Sequence, residues 1–237
     1  MKTIFNLLAF VLIPLLAKGQ SQDLTTDVFS NISNLSYTTY NAENQITSET
    51  FYRVTSSFNT LTGKKIMLLA DVKPLEDPSH STYNYLEQNS QCMTLGIKNI
   101  LPGYMFDSYS NMQLNIESGT FEIPVDFYPG QQLPDAQLTI SLRVVPIVHT
   151  LEYTLKNRRF TKREVLNTSA GTFECFVVES ITHITPQSDE DGRLKQWFAP
   201  GIGLVKQMHY TKNGEMTGLT LLTGINTSET NSGFVQN

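Results

Sequence analysis

Thr172-Phe173-Glu174-Cys175-Phe176-Val177-Val178-Glu179-Ser180-Ile181-Thr182-His183 is the stretch on which the fold turns. Its β-branched and aromatic content marks a strand. Successive strand side chains point to opposite faces, so Phe173, Cys175 and Val177 share one side while Phe176 and Val178 share the other. Both sides are apolar. Such a strand is covered twice, so part of its sheet packs against another layer.

The same chemistry runs outward in both directions. Residues 35–40, 49–58, 65–72, 91–97, 113–126, 136–145, 148–156, 160–166, 196–199, 204–211 and 215–223 are rich in Val, Ile, Thr, Tyr and Phe and read as strands. Asn213-Gly214 between the last two is the pair favoured in a two-residue type I′ hairpin. Asp191-Gly192, Thr62-Gly63, Ala170-Gly171, Pro102-Gly103 and Pro129-Gly130 punctuate other connections. Helical periodicity is confined to residues 23–31 and 82–88, each expected as a short helix. The expectation is an all-β chain whose antiparallel, curved sheet closes into a barrel-like or two-layer domain.

Residues 1–19 read as a secretory signal. Lys2 precedes a short apolar run, and Ala17-Lys18-Gly19 places small residues where a signal peptidase probes, so cleavage is expected between Gly19 and Gln20. That run is shorter than the ~20 residues of a spanning helix, and no later stretch is long enough to cross a bilayer. Residues 20–225 form a single domain in this reading, with a possible subdivision at 129–130, and residues 226–237 a flexible tail. The protein is expected outside the cytosol, periplasmic or secreted. There Cys92 and Cys175 either form a disulfide or remain two separate buried thiols.

Composition narrows the function. The chain carries 17 Lys+Arg against 22 Asp+Glu. That acidic balance offers no basic face for nucleic acid and no polybasic patch for an anionic membrane. No Gly-x-Ser-x-Gly elbow or His-Glu-x-x-His helix is present, and His80, His149, His183 and His209 have no zinc-ligand spacing. Gly201-Ile202-Gly203 with Lys206 lacks the Ser/Thr and the helix of a phosphate loop, and reads as a turn. Neither catalytic residue, metal nor cofactor is expected.

In the segments 160–166 and 204–210, charged residues share a parity with apolar ones: Lys206 with Leu204, Met208 and Tyr210, and Glu164 with Phe160 and Leu166. If that side is interior, these charges need partners, and Glu164 is expected to pair with Lys206, Arg158 or Arg159. The alternative is an edge strand whose lysine reaches water. Arg158, Glu164, Trp197 and Lys206 are the candidate ligand-binding residues.

The order of motifs in the C-terminal half resembles a known group. Tyr128-Pro129, Leu133-Pro134-Asp135, Asn157-Arg158-Arg159, Glu164 and Ala170-Gly171-Thr172-Phe173-Glu174-Cys175 are followed by Trp197-Phe198-Ala199-Pro200-Gly201-Ile202-Gly203-Leu204-Val205-Lys206. This succession resembles the TapB-like family of exported β-rich proteins from Bacteroidetes-type bacteria. The resemblance implies a barrel-like domain in the cell envelope and carries over no catalytic residue. Two functions are therefore expected in order: a non-enzymatic envelope protein binding an apolar or amphipathic, lipid-like molecule, with Trp197, Phe198, Tyr104, Phe106 and Tyr128 lining the cavity; or a structural module that pairs with envelope proteins.

Overall fold

The computed structural model describes residue 29 and residues 31–75, 79–96, 113–117, 119–124, 128–144, 147–185 and 191–227. The expected signal segment with its Gly19/Gln20 cleavage site, the expected helix at 23–31 apart from residues 29 and 31, Tyr104, Phe106 and most of the expected tail lie outside the described residues.

Thirteen strands are present among the described residues. The N-terminal half supplies β1 (Ile32–Asn41), β2 (Ile46–Asn59), β3 (Gly63–Pro74), β4 (His80–Asn89) and β5 (Cys92–Gly96). Two short strands follow, β6 (Gln113–Glu117) and β7 (Thr120–Pro124), and then β8 (Ala136–Val144). The rest are β9 (Ile147–Thr168), β10 (Gly171–Thr185), β11 (Gly192–Ala199), β12 (Gly203–Tyr210) and β13 (Met216–Thr227). All belong to one sheet in the order β6-β8-β9-β10-β11-β12-β13-β1-β2-β3-β4-β5-β7. The first strand pairs antiparallel with the last, Leu35 opposite Ile225 and Tyr37 opposite Leu222.

The two ends of that sheet are halves of the run at 113–126 expected as one strand. Its first half pairs with β8 and its second with β5. The run thus leaves one end of the sheet and joins the other, with Gly119 in the link where a missing side chain eases the change of direction. Counted as one bent strand, it makes twelve antiparallel strands in a nearly closed barrel.

Three local expectations are corrected. Residues 82–88 are strand, not helix, within β4. Thr82, Asn84 and Leu86 are the more buried positions while Tyr83, Tyr85 and Glu87 face water, so a buried Asn masks the alternation. Segments 148–156 and 160–166 are one strand, β9, whose register against β10 shifts at residues 157–158. Asn157 takes φ 51° there, a left-handed conformation that Asn tolerates, and the inward parity switches from Leu151, Tyr153 and Leu155 to Arg158 and Phe160. The 213–214 turn is part of a longer connection than two residues, with the Gly214 N–H bonded to the Thr211 carbonyl and Gly214 at φ 90°.

The barrel interior is largely apolar and aromatic, with Asn84, Arg158, Gln196, Gln207 and His209 buried among the rings. The Phe160 and Phe176 rings lie 5.4 Å apart, and Phe121 reaches Phe198 from β7 at 6.0 Å. Cys175, Phe176, Val177 and Val178 are all at most 2% exposed, so β10 is buried on both faces. The second covered face carries Phe173, Cys175, Val177 and Trp197. Beside it, the tip of the long β9–β10 hairpin reaches back to β13, where the Ser169 hydroxyl donates to the Thr223 carbonyl at 2.9 Å. A barrel and a small second layer coexist.

Candidate functional site

Three of the four candidate ligand residues meet at one indole. Trp197 stands opposite Val177 on β10 and Lys206 on β12. The Lys206 Nζ lies 4.8 Å from the ring centroid and the Lys195 Nζ 5.2 Å, both within cation–π range. The indole N–H donates to Glu164 Oε2 at 3.3 Å, and Lys162 Nζ lies 2.9 Å from the same oxygen. Glu164 therefore pairs with Lys162, not with Lys206, Arg158 or Arg159 as expected. The cause is register. Residue 162 sits opposite Val177 and Glu164 opposite Cys175, so both point to the Trp197 side, whereas Arg158 points into the barrel. The Lys162 ammonium above all holds the Glu164 carboxyl below the usual range, against opposing desolvation and with help from the Trp197 N–H. Arg159 meets Glu179 instead, at 3.8 Å.

Arg158 belongs elsewhere. It is fully buried, with its guanidinium 4.0 Å from the Phe121 centroid. It donates to the Pro134 carbonyl at 2.5 Å and the Glu122 carbonyl at 2.9 Å. Those acceptors are related by the ladder. The β6–β8 register pairs Glu117 with Thr139, and extending it along the chain sets Glu122 opposite Pro134. At that point β7 has left β8 for β5, and the arginine donates to the carbonyls on both sides of the gap. Burial pulls its pKa down to about 10, opposed by Asp135 and Glu122, so it stays charged at neutral pH. Asp135 Oδ1 accepts from the N–H of Asn157 at 3.0 Å, and Leu133 N–H donates to the Arg158 carbonyl at 2.7 Å. The 133–135 and 157–159 motifs are thus two sides of one seam.

The remaining sequence candidates are placed as follows. Cys92 is half-buried and Cys175 buried, and the two are not bonded to each other in this structure. The short way round the nearly closed barrel still puts β7, β8 and β9 between β5 and β10, so the two residues stand on different parts of its wall. Burial, then Glu164 and Glu174, pushes the Cys175 thiol up to about 12, so it stays protonated. His183 Nδ1 contacts Asp191 Oδ1 at 3.0 Å. His209 is buried, and desolvation lowers its pKa from 6.5 to about 3, so it is neutral. On the same inward parity of β11 and β12, the Gln196 side-chain amide donates to Gln207 Oε1 at 3.1 Å. Tyr128 is exposed rather than cavity-lining. No group of three or more His, Cys, Asp or Glu among the described residues could hold a metal ion.

Sequence reasoning missed the outer face of β2, β3 and β4. Pairing across these strands arranges it in four rows. The first is Phe51–Asp71–Ser81 and the second Arg53–Leu69–Tyr83. Ser56–Met67–Tyr85 and Phe58–Lys65–Glu87 complete the face. Phe51, Phe58, Tyr83 and Tyr85 are exposed large hydrophobics, Tyr83 at 54%. The charges are paired in plane: Arg53 with Asp71 at 3.1 Å and Lys65 with Glu87 at 2.5 Å. Lys65 also lies over the Tyr85 ring, and Lys73 over Phe51. The missed signal is the parity of 67 and 69 with their cross-strand partners, because Ile66, Leu68 and Ala70 on the other parity already fill the core. An open depression of about 410 Å³ lies at the turn end of these strands, lined by Leu61, Thr62, Asn89, Ser90 and Gln91.

Two solved structures share the architecture. A protein described as exported, with a YmcC-like fold, from Bacteroides fragilis aligns with a TM-score of 0.67 at 19% identity, over 81% of this chain and 94% of that one. A protein described as a lipoprotein from Parabacteroides distasonis aligns with a TM-score of 0.73 at 19% identity, over 86% of this chain and 99% of that one. At such identity the likeness is one of fold. No curated protein matches the chain. A protein-family model matches residues 33–222, spanning the barrel from β1 to β13.

Proposed function

The chain belongs to the DUF3108-like family, and on that premise we propose that it is an exported, non-enzymatic envelope protein acting as an interaction module. One observation carries this reading: the outer face of β2–β4 leaves four aromatic residues in water, in a chain whose face around Trp197 is buried by its own strands. Exposed apolar patches of this kind mark contact surfaces. Export draws support from the relatives described as exported or as a lipoprotein and from the signal-like residues 1–19. The destination of this chain in this reading is the periplasm or the medium. The narrower TapB-like membership is supported by residues 133–135, 157–159 and 197–206, whose side chains and carbonyls build the seam and the Trp197 cluster.

The ligand-carrier reading draws less support. Phe121 with Phe198, and Phe160 with Phe176, place ring contacts in the described interior. Arg158 is spent on the seam, and Glu164, Trp197 and Lys206 satisfy one another on the other face. Photo-crosslinking in the native envelope tests the choice. A crosslinker at Tyr83 is expected to capture protein, and one at the exposed Val165 is not. Native mass spectrometry of the purified chain carrying a stoichiometric lipid-like molecule would favour the carrier instead.

A further inference from the structure

We propose that the outer face of β2–β4 docks on the same face of a second copy of this chain, about a two-fold axis lying in the interface and perpendicular to the strands. The proposal rests on the interaction-module reading and names its partner.

The argument is self-complementarity. Such an axis places each strand over its own copy and reverses the order of the rows. Asp71 then faces Lys65 of the second copy, and Lys65 faces Asp71. Leu69 meets Met67, Tyr83 meets Tyr85 and Phe51 meets Phe58. Packed sheets cross at about −30°, which displaces the outer columns most and the central β3 column least. The two contacts carried by β3, acid on base and Leu69 on Met67, are therefore the robust ones. An axis parallel to the strands would instead set Asp71 on Asp71 and Lys65 on Lys65, and repel.

Charge selects among occupants. Arg53, Lys65 and Lys73 balance Asp71, Glu87 and Glu49, so the face is neutral although the chain is net −5. Two acidic copies meet there without the repulsion their other surfaces would impose. An anionic lipid or nucleic acid finds no excess of base. A glycan stacking on the rings finds Lys65 over Tyr85 and Lys73 over Phe51. Area sets the strength. Three strands ~4.8 Å apart and about eight residues of ~3.4 Å each present on the order of 400 Å² per copy. Roughly 800 Å² in total is the size of a weak, transient contact, with a dissociation constant on the order of 100 μM.

Sedimentation velocity on the exported chain, from low micromolar to about ten times the expected dissociation constant, reads the outcome. A concentration-dependent dimer is expected. Asp71→Lys alone and Lys65→Asp alone each place like charges across the axis twice, and each should weaken dimerisation at least tenfold, by the ~1.4 kcal/mol that a tenfold change represents. Mixing the two variants restores opposite charges at both contacts, so a heterodimer should form to within about threefold of the wild-type constant. Both substitutions sit on the water-facing side, and unchanged circular dichroism reports intact folding. A wild-type chain that stays monomeric overturns the proposal, as does a dimer indifferent to both variants or a mixture that fails to rescue. If Tyr83 crosslinks to a different envelope protein while the chain is monomeric, the second copy is refuted and the interaction module stands. If it crosslinks to nothing and the chain is monomeric, both fall.

Discussion

The face around Trp197 and the face of β2–β4 are made of similar materials. Each sets an aromatic ring under a lysine ammonium, with a carboxylate close by: Lys206 and Lys195 on Trp197 beside Glu164, and Lys65 on Tyr85 beside Glu87. One is nevertheless buried and the other is not. The difference lies in where the hairpin overhangs go, not in side-chain chemistry: the tip of β9–β10 reaches back to β13. The β9–β10 hairpin has strands of 22 and 15 residues, runs beyond the β11–β12 turn, and buries Phe173 and Cys175 beside Trp197. The β2–β3 hairpin also overhangs its neighbour, because β1 pairs with β2 only as far as Asn34 opposite Arg53, but the outward side chains there, Ser56 and Phe58, stay exposed. The same residues therefore make a second core on one side and an uncovered surface on the other.

That comparison can be broken by mutation. The largest effects belong to the buried side. Arg158→Ala leaves the Glu122 and Pro134 carbonyls without their donor and opens a void against Phe121, so a loss of about 3–5 kcal/mol is expected in urea denaturation. Trp197→Ala should cost about as much, ~3–5 kcal/mol, if the hairpin layer is a true core. A loss under about 1 kcal/mol would say that the layer is loosely held.

The next effect is one of pH. His209 has its pKa lowered from 6.5 to about 3 by burial. Between those values the unfolded chain binds a proton that the folded chain does not, so stability rises with pH across that window. The burial of His209 carries no protonation cost above 6.5 and a growing one as pH falls towards 3. His209→Gln should flatten the slope of unfolding free energy against pH between 4 and 6. An unaltered slope would place the titration elsewhere.

The smallest effects belong to the open side. Tyr83→Ser should change the unfolding free energy of the monomer by no more than about 0.5 kcal/mol, because the residue is more than half exposed. Glu164→Gln is also expected to be mild, within about 1 kcal/mol, because the amide oxygen still accepts from Trp197 and the lost Lys162 pair is largely exposed. A large loss for Tyr83→Ser would mean that this face is covered within one chain.

Which of these features were legible in the sequence follows from periodicity. The double-sided apolar parity at 172–178 indicated a strand covered twice, and Cys175 to Val178 are so covered. Charges sharing a parity with apolar residues pointed to Glu164 and Lys206, and both do meet Trp197. Their partner was not legible, because the register shifts at 157–158 and again between residues 160 and 162 reset the parity of β9. Arg158 looked like a companion of Glu164 for the same reason. The seam it closes depends on β7 parting from β8, a long-range event with no local signature beyond Gly119. The open face was invisible for a different reason: exposed aromatics in a strand look like core until both neighbours are known.

The central claim is that one aromatic cluster is sealed and the other is not. Trp197 is the only tryptophan in the chain, so its fluorescence reports the sealed side alone. Acrylamide quenching of the folded protein is the direct measurement. The account predicts a blue-shifted emission that quenches several-fold more slowly than in the urea-unfolded chain. A red-shifted emission quenched as fast in the folded protein as in the unfolded one would contradict it.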